Sequence, residues 1–357
     1  MSSFELEGLV NLINERVESN IKIMEVCGTH TQAIAKSGLC NMLDPRIQLI
    51  SGPGCPVCVT TESYIDAAIE LLLQPNIVIV TFGDMIRVTG SNKSLEDCME
   101  MKSRIKVVYS PFAVLDIAES NNNMQIVFLA VGFETTAPLI AALIKMTIQR
   151  GLHNLFFLVG LKLMPPVLDK VLSSKDNRLD ALICPGHVSV IMGSEYFSFV
   201  PEKYNIPAVI SGFEYAEVAA AIYYLSEEVR KGKRNMRNLY TKCVKSQGNA
   251  IAKELMASVF QSKEGYWRGI GKIDGSELTL KKEYGAFDAS KNFDLRIKNE
   301  YIAENCQCGE IIIGSKSPYQ CSLFCKSCTP ESPKGPCMVS SEGACAIFYK
   351  YKRRDLA

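Results

Sequence analysis

The sequence predicts an α/β protein: two Rossmann-like domains with parallel sheets around a central cleft, followed by a C-terminal unit rich in cysteine. Three observations carry this reading. Short, nearly continuous apolar runs alternate with helix-like segments, the pattern of βαβ units. Polar and glycine-bearing motifs fall directly after many of those runs. Beyond Lys245 the pattern changes, and glycine, proline and cysteine dominate from Gly265 on.

The strand-sized runs are 21–26, 47–50, 77–82, 105–109, 126–131, 155–159, 179–183 and 207–210. They are β-branched and nearly unbroken, as parallel strands buried on both faces should be. Between many of them, helices are expected over 31–37, 63–73, 113–120, 136–149 and 165–172. The run Asn121-Asn122-Asn123 reads as a loop and sets the expected division. A first α/β domain covers 1–120, completed by about 212–245 through a helix over 214–228. A second covers 121–211. A third, loop-rich unit held by its cysteines covers 246–357. One large sheet is the alternative.

The totals exclude several functions. Basic and acidic residues number 39 and 38, so the net charge of +1 gives no electrostatic reason to expect nucleic acid. The basic runs 231–237 and 350–354 read as a solvated linker and a tail. The N-terminus carries Glu5 and Glu7 and does not read as a signal peptide. No apolar stretch approaches the roughly 20 residues of a membrane span; 71–82 is broken by Gln74, Pro75 and Asn76. A cytoplasmic protein is expected. In a reducing compartment, close cysteine pairs are more often metal ligands or catalytic thiols than structural disulfides.

Gly52-Pro53-Gly54-Cys55-Pro56-Val57-Cys58 is the most informative run. It sets two thiols three residues apart in a stiffened turn, after one strand and before a helix that Thr60 or Thr61 would cap. A helix N-terminus favours the thiolate, so Cys55 and Cys58 read as a reactive dithiol. The bland alternative is a tight turn with two buried cysteines. A nucleotide-binding glycine loop fits worse, because Pro56 and Cys58 stand where the phosphate fingerprint needs open backbone. Cys27-Gly28-Thr29-His30-Thr31 follows the first strand. Its thiol is a soft metal ligand, and His30 is a ligand, an acid–base group or an orienting group. Glu134, in Gly132-Phe133-Glu134-Thr135-Thr136, is a proton carrier or polar anchor, or else caps the next helix. Cys184-Pro185-Gly186-His187 follows the seventh strand, and Cys184 reads as plain core. Two of the 3 histidines thus lie in loops after strands with a cysteine close by. In open α/β sheets ligands bind beyond the carboxyl ends of the strands, so these motifs are expected to meet in the cleft.

Of the 14 cysteines, Cys306, Cys308, Cys321, Cys325, Cys328, Cys337 and Cys345 crowd the C-terminal unit. Four thiolates, as in Cys306, Cys321, Cys328 and Cys345, hold either zinc or a [4Fe–4S] cluster. Spacing does not decide between them. The extra thiols Cys308 and Cys337 favour iron–sulfur, since a purely structural zinc site has no use for them. Cys40, Cys98 and Cys243 carry no assignable role and are expected to be buried.

Taken together, Cys27-Gly-Thr-His-Thr, Gly-Pro-Gly-Cys55-Pro-Val-Cys58-Val, Gly-Phe-Glu134-Thr-Thr, Cys184-Pro-Gly-His187-Val and the run from Cys328 through Gly-Pro-Cys337-Met-Val-Ser-Ser-Glu-Gly-Ala-Cys345 resemble the HypD family of [NiFe]-hydrogenase maturation factors. The resemblance runs from about residue 20 to 350. It implies assembly of the Fe(CN)₂CO unit of the hydrogenase, in a complex with the small chaperone HypC and with cyanide received from HypE. It implies that Cys27 is an iron ligand sharing the metal with a HypC cysteine. Cys55 and Cys58 would be a redox dithiol. Cys306, Cys321, Cys328 and Cys345 would hold a [4Fe–4S] cluster, with Cys308 and Cys337 a redox pair beside it, an arrangement similar to ferredoxin:thioredoxin reductase. Cys325 is an additional thiol that leaves the ligand set open. Two other functions compete: a stand-alone thiol–disulfide oxidoreductase fed by the cluster, and a zinc-stabilised binding protein without redox chemistry.

Overall fold

The computed structural model describes residues 3–174, 178–295, 297 and 306–351. Its strands are β1 (Ile21–Glu25), β2 (Ile47–Ser51), β3 (Ile77–Thr81), β4 (Ile105–Val107), β5 (Gln125–Gly132), β6 (Leu155–Leu161), β7 (Ala181–Cys184), β8 (Ala208–Ile210), β9 (Met236–Asn238), β10 (Phe260–Trp267) and β11 (Gly271–Leu280). The helices that matter below are α1 (Ser3–Arg16), α2 (Gly28–Ser37), α3 (Glu62–Leu73), α4 (Ala113–Ser120), α5 (Ala137–Gln149), α6 (Met164–Leu172), α7 (Gly186–Met192), α8 (Tyr215–Arg230), α9 (Ala250–Val259), α10 (Cys308–Ile312), α11 (Pro336–Val339) and α12 (Ala344–Tyr351).

Two parallel sheets result, one with strand order β2-β1-β7-β8-β9 and one with order β4-β3-β5-β6. The α/β class and the cysteine-rich C-terminal region match the reading from sequence. The division of the chain does not. β3 pairs with β5 across residue 121, with Ile77 opposite Gln125. β1 pairs with β7, with Ile23 opposite Ala181. The chain thus leaves the first sheet after β2, builds the whole second sheet, and returns with β7. The asparagine run is an internal βαβ loop between α4 and β5. Its polarity resembled a linker because any surface connection must be polar.

Alternation along the first sheet feeds two different cores. Ile21, Ile23, Ile183 and Val209 face α1, α2 and α8 and pack with Val10, Ile34, Ile222 and Leu225. Met24, Leu182 and Ile210 face the other way, into a core shared with Trp267, Cys308, Phe324, Cys337, Met338 and Cys345. The cysteine-rich unit is therefore welded to the sheet by the hydrophobic effect. Each fully buried leucine or isoleucine contributes roughly 1.5–3 kcal/mol there. The second sheet is covered on both faces: Phe128, Ile140, Ile144 and Phe157 pack on one side, and Ile65, Leu72, Ile79 and Leu129 on the other.

After Lys245 the structure is more regular than the sequence suggested. Helix α9 is followed by an antiparallel hairpin of β10 and β11 with a register shift between Lys263 and Gly265. No helix among the described residues is long and apolar enough to cross a membrane.

Candidate functional site

A cleft of about 440 Å³ opens where the carboxyl ends of five strands from both sheets converge. Cys27 enters after β1, Gly54 and Pro56 after β2, Thr135 and Thr136 after β5, Met164 after β6, and His187 after β7. This is the position the topology of open α/β sheets assigns to ligands. Glu342, from the C-terminal unit, completes the lining.

Cys27 is the N-cap residue of α2, with extended φ of −160°. The main chain of Gly54 lies against it: a Cβ at Gly54 would stand 2.6 Å from both the N and Cα of Cys27. The glycine is needed because two strand ends must touch backbone to backbone. Cys27 is buried, and its thiol is pushed up to about 11, first by burial and then by the Glu342 carboxylate; Thr29 and the His30 N–H pull the other way. Thr29 Oγ1 donates to Glu342 Oε1 (3.3 Å).

Cys55 and Cys58 form a disulfide. Both are buried in a turn that ends before α3 begins at Glu62. The expected seat at a helix start, with a threonine cap, is not formed. Thr61 is the N-cap residue but makes no side-chain cap bond, and Thr60 Oγ1 donates to Pro56 O (2.9 Å). Within the turn the Cys58 N–H donates to Cys55 Sγ (3.2 Å). Cys58 Sγ lies 3.8 Å from the carbonyl oxygen of Pro336, the residue before Cys337. The disulfide thus sits between the cleft and the cysteine-rich unit.

The two histidines diverge. His187 lines the cleft and stacks on Phe213 with ring centroids 3.9 Å apart. His30 lies behind it, fully buried, stacked on Phe213 at 4.8 Å. His30 Nε2 is 3.0 Å from Gly212 O, and burial lowers its pKa to about 4, so it is neutral at physiological pH. His30 is therefore a packing and orienting group and not part of the cleft lining. Glu134 is also off the cleft wall. Its Oε1 accepts from the N–H of Met164 (2.7 Å) and from Tyr196 Oη (2.9 Å). It caps α6, from the neighbouring strand, and not the helix after its own. Burial pushes the carboxyl up to about 7.

In the C-terminal unit Cys306 Sγ donates to Cys308 Sγ (3.0 Å), and Cys308 and Cys337 hydrogen-bond each other. Cys345 lies in the field of Cys308, Cys328, Cys306 and Cys321; burial first, and then their charges, push its thiol well up. Burial likewise raises Cys328, against main-chain donation from Lys334 and Gly335; the Lys334 N–H stands 3.3 Å from its sulfur. Cys325 takes φ of 58° in the turn between Cys321 and Cys328. Among the described residues, no group of three or more His, Cys, Asp or Glu is arranged around a single metal ion. Cys98 and Cys184 are buried as expected, but Cys243 is exposed and Cys40 only partly buried. Cys243 sits beside the Tyr240 hydroxyl.

Sequence reasoning missed Glu342, Phe213 and Tyr196. Glu342 stands inside the Cys337–Cys345 motif, and an acid between two thiols was the available signal. Phe213 and Tyr196 had none, since only tertiary packing brings them to a histidine and to Glu134.

Parallel sheets thus carry a disulfide and a buried thiol at their carboxyl ends, backed by a thiol-rich unit, the frame of a thiol-bearing α/β protein. A family model described as "HypD: Hydrogenase formation hypA family" matches residues 5–352. The hydrogenase maturation factor HypD of Azotobacter vinelandii is 37% identical over 94% of this chain and 90% of its own length. That of Rhizobium leguminosarum bv. viciae is 40% identical over 92% and 88%. That of Escherichia coli K12 is 35% identical over 95% and 91%. The chain belongs to the HypD family, and its role lies in hydrogenase maturation.

Proposed function

We propose that the chain is a redox-active scaffold on which the Fe(CN)₂CO unit of a [NiFe] hydrogenase is assembled in the cytoplasm, with iron as cargo in the cleft. Cys27 holds the iron together with a cysteine of a HypC-type chaperone, and a HypE-type partner delivers cyanide. The observation that carries this reading is contiguity. Cys27 touches the Gly54 backbone, Cys58 lies against Pro336, and Cys337 bonds Cys308, so the thiol sets follow one another from the cleft inward.

The chemistry needs that order. Releasing cyanide from a sulfur-bound carrier breaks a carbon–sulfur bond and leaves thiolate and cyanide, which takes two electrons. A Cys55/Cys58 dithiol supplies both by closing to a disulfide and losing two protons. Soft thiolate suits iron with strong-field ligands. Burial keeps Cys27 protonated until a cation displaces the proton. His187, stacked on Phe213, faces the ligands in the cleft. His30 fixes the position of Phe213, and Glu134 holds the start of α6 with a proton near neutrality.

In this reading four thiolates of the C-terminal unit would hold a [4Fe–4S] cluster. Cys328 and Cys345 both lie in the field of Cys306 and Cys321, and the Cys328 sulfur accepts from the Lys334 N–H, the kind of donation that cluster sulfurs receive. A cluster held there would supply electrons one at a time, and the Cys308/Cys337 pair, whose thiols hydrogen-bond each other, is the two-electron acceptor beside it. A stand-alone oxidoreductase acting on protein disulfides fits less well, because Cys55 and Cys58 are only 5% and 2% exposed.

Anaerobic purification with Cys55→Ser tests the assignment. The variant is expected to keep the brown colour, iron and sulfide of the wild type while hydrogenase maturation is lost. Loss of colour would make Cys55 a ligand or folding residue, and retained maturation would remove the dithiol from the mechanism.

A further inference from the structure

The tip of the β10–β11 hairpin joins the three parts of this site through three consecutive residues. Trp267 stacks on Phe133, a wall of the cleft, with centroids 6.0 Å apart. Arg268 donates its main-chain N–H to Val59 O (3.0 Å), next to Cys58. Its guanidinium pairs with Glu62 (2.9 Å), and Nη1 donates to Thr89 O (2.8 Å). Gly269, at φ +72°, is pressed on Gly309, next to Cys308: a Cβ on Gly269 would stand 2.4 Å from Gly309 Cα, and one on Gly309 2.1 Å from Gly269 O.

The ion pair is unusual in being dry, with Arg268 5% and Glu62 4% exposed. Apolar residues of the same volume would hold a hairpin tip at least as firmly, because a buried pair repays its desolvation poorly. What a guanidinium adds is direction. Its planar fork fixes angles as well as distance, which an ammonium does not.

We infer that Trp267-Arg268-Gly269 is the element that positions the Cys55–Cys58 turn against the Cys308/Cys337 pair, and that Arg268 is its positioning residue. This rests on the thiol relay proposed above. In the step concerned, the Cys308 and Cys337 thiols become a disulfide and the Cys55–Cys58 disulfide becomes two thiols. Two electrons and two protons change hands, and no outside reductant enters that exchange.

The test uses the anaerobically purified full chain with its iron and sulfide. Photoreduced deazaflavin feeds single electrons, and quenching with N-ethylmaleimide followed by mass spectrometry times the appearance of free Cys55 and Cys58. Tris(2-carboxyethyl)phosphine, which reduces the disulfide directly, is the control. Arg268→Gln is expected to slow the deazaflavin-driven reduction at least about tenfold, within the roughly hundredfold that a misplacement near an ångström can cost, with the phosphine rate unchanged. Arg268→Lys keeps the cation and the bond to Val59, and it carries the test if the glutamine variant does not fold. It is expected to be slow as well. Wild-type speed in the lysine variant overturns the positioning role. Cys308→Ser separates the two ideas: if it is as fast as wild type, the relay fails and takes this inference with it.

Discussion

Glu134 shows how a side chain legible in the sequence acquires its role from residues that are not. Its place after a buried strand marked it for attention. Its partners, the Met164 N–H and the Tyr196 hydroxyl, come from the next strand's helix and from a segment beyond β7. Burial raises the carboxyl from 4.5 to about 7, and Oε2 finds no acceptor or donor. The folded chain therefore keeps a proton that the unfolded chain releases above pH 4.5. Glu134 contributes stability that is complete below about 4.5 and lost as pH rises through about 7, on the order of 3 kcal/mol in all. Glu134→Gln retains an acceptor for both donors and cannot ionise. Melting temperatures of the variant and the wild type should lie closest at pH 5, with the variant gaining relative to the wild type by pH 8. An offset independent of pH would mean that the carboxyl ionises normally.

At the scale of elements, all eight strands expected from apolar runs are present within a residue or two; those buried throughout, such as β3 and β7, have to be apolar along their length. β9 and the hairpin were not legible. β9 is a short edge strand with Arg237 in it, and β10 buries little of its middle, Gln261 to Glu264. Turn contacts were equally hidden. The Gly-Pro-Gly spelling announced a tight turn, yet what it touches, the backbone of Cys27, depends on β1 and β2 being neighbours. Gly54→Ala places a methyl group 2.6 Å from that backbone. The cost expected is roughly 1–3 kcal/mol, as for other overpacked sites, read as a melting temperature lowered by several degrees. An unchanged melting temperature would mean that the two strand ends are free to separate.

Over the whole molecule, the motifs located the site better than the boundaries located the domains. Cys27, Gly54, Thr135 and His187 do meet in one cleft, although β1, β2, β5 and β7 belong to two interleaved sheets. Motif position after a strand survives any rearrangement of strand order, since ligand loops gather at the carboxyl ends regardless of connectivity. Domain boundaries do not survive it. The same interleaving places the disulfide between the cleft and the thiols of the C-terminal unit, and the account rests on that continuity. Its central claim is that the cleft carries iron with cyanide and CO through Cys27. Infrared spectroscopy of the chain co-purified anaerobically with its small HypC-type partner tests this most directly. Cyanide and CO stretching bands are expected for the wild type, and Cys27→Ala should lack them and fail in maturation. A wild-type complex without these bands, together with a Cys27→Ala variant that still matures hydrogenase, would contradict the account.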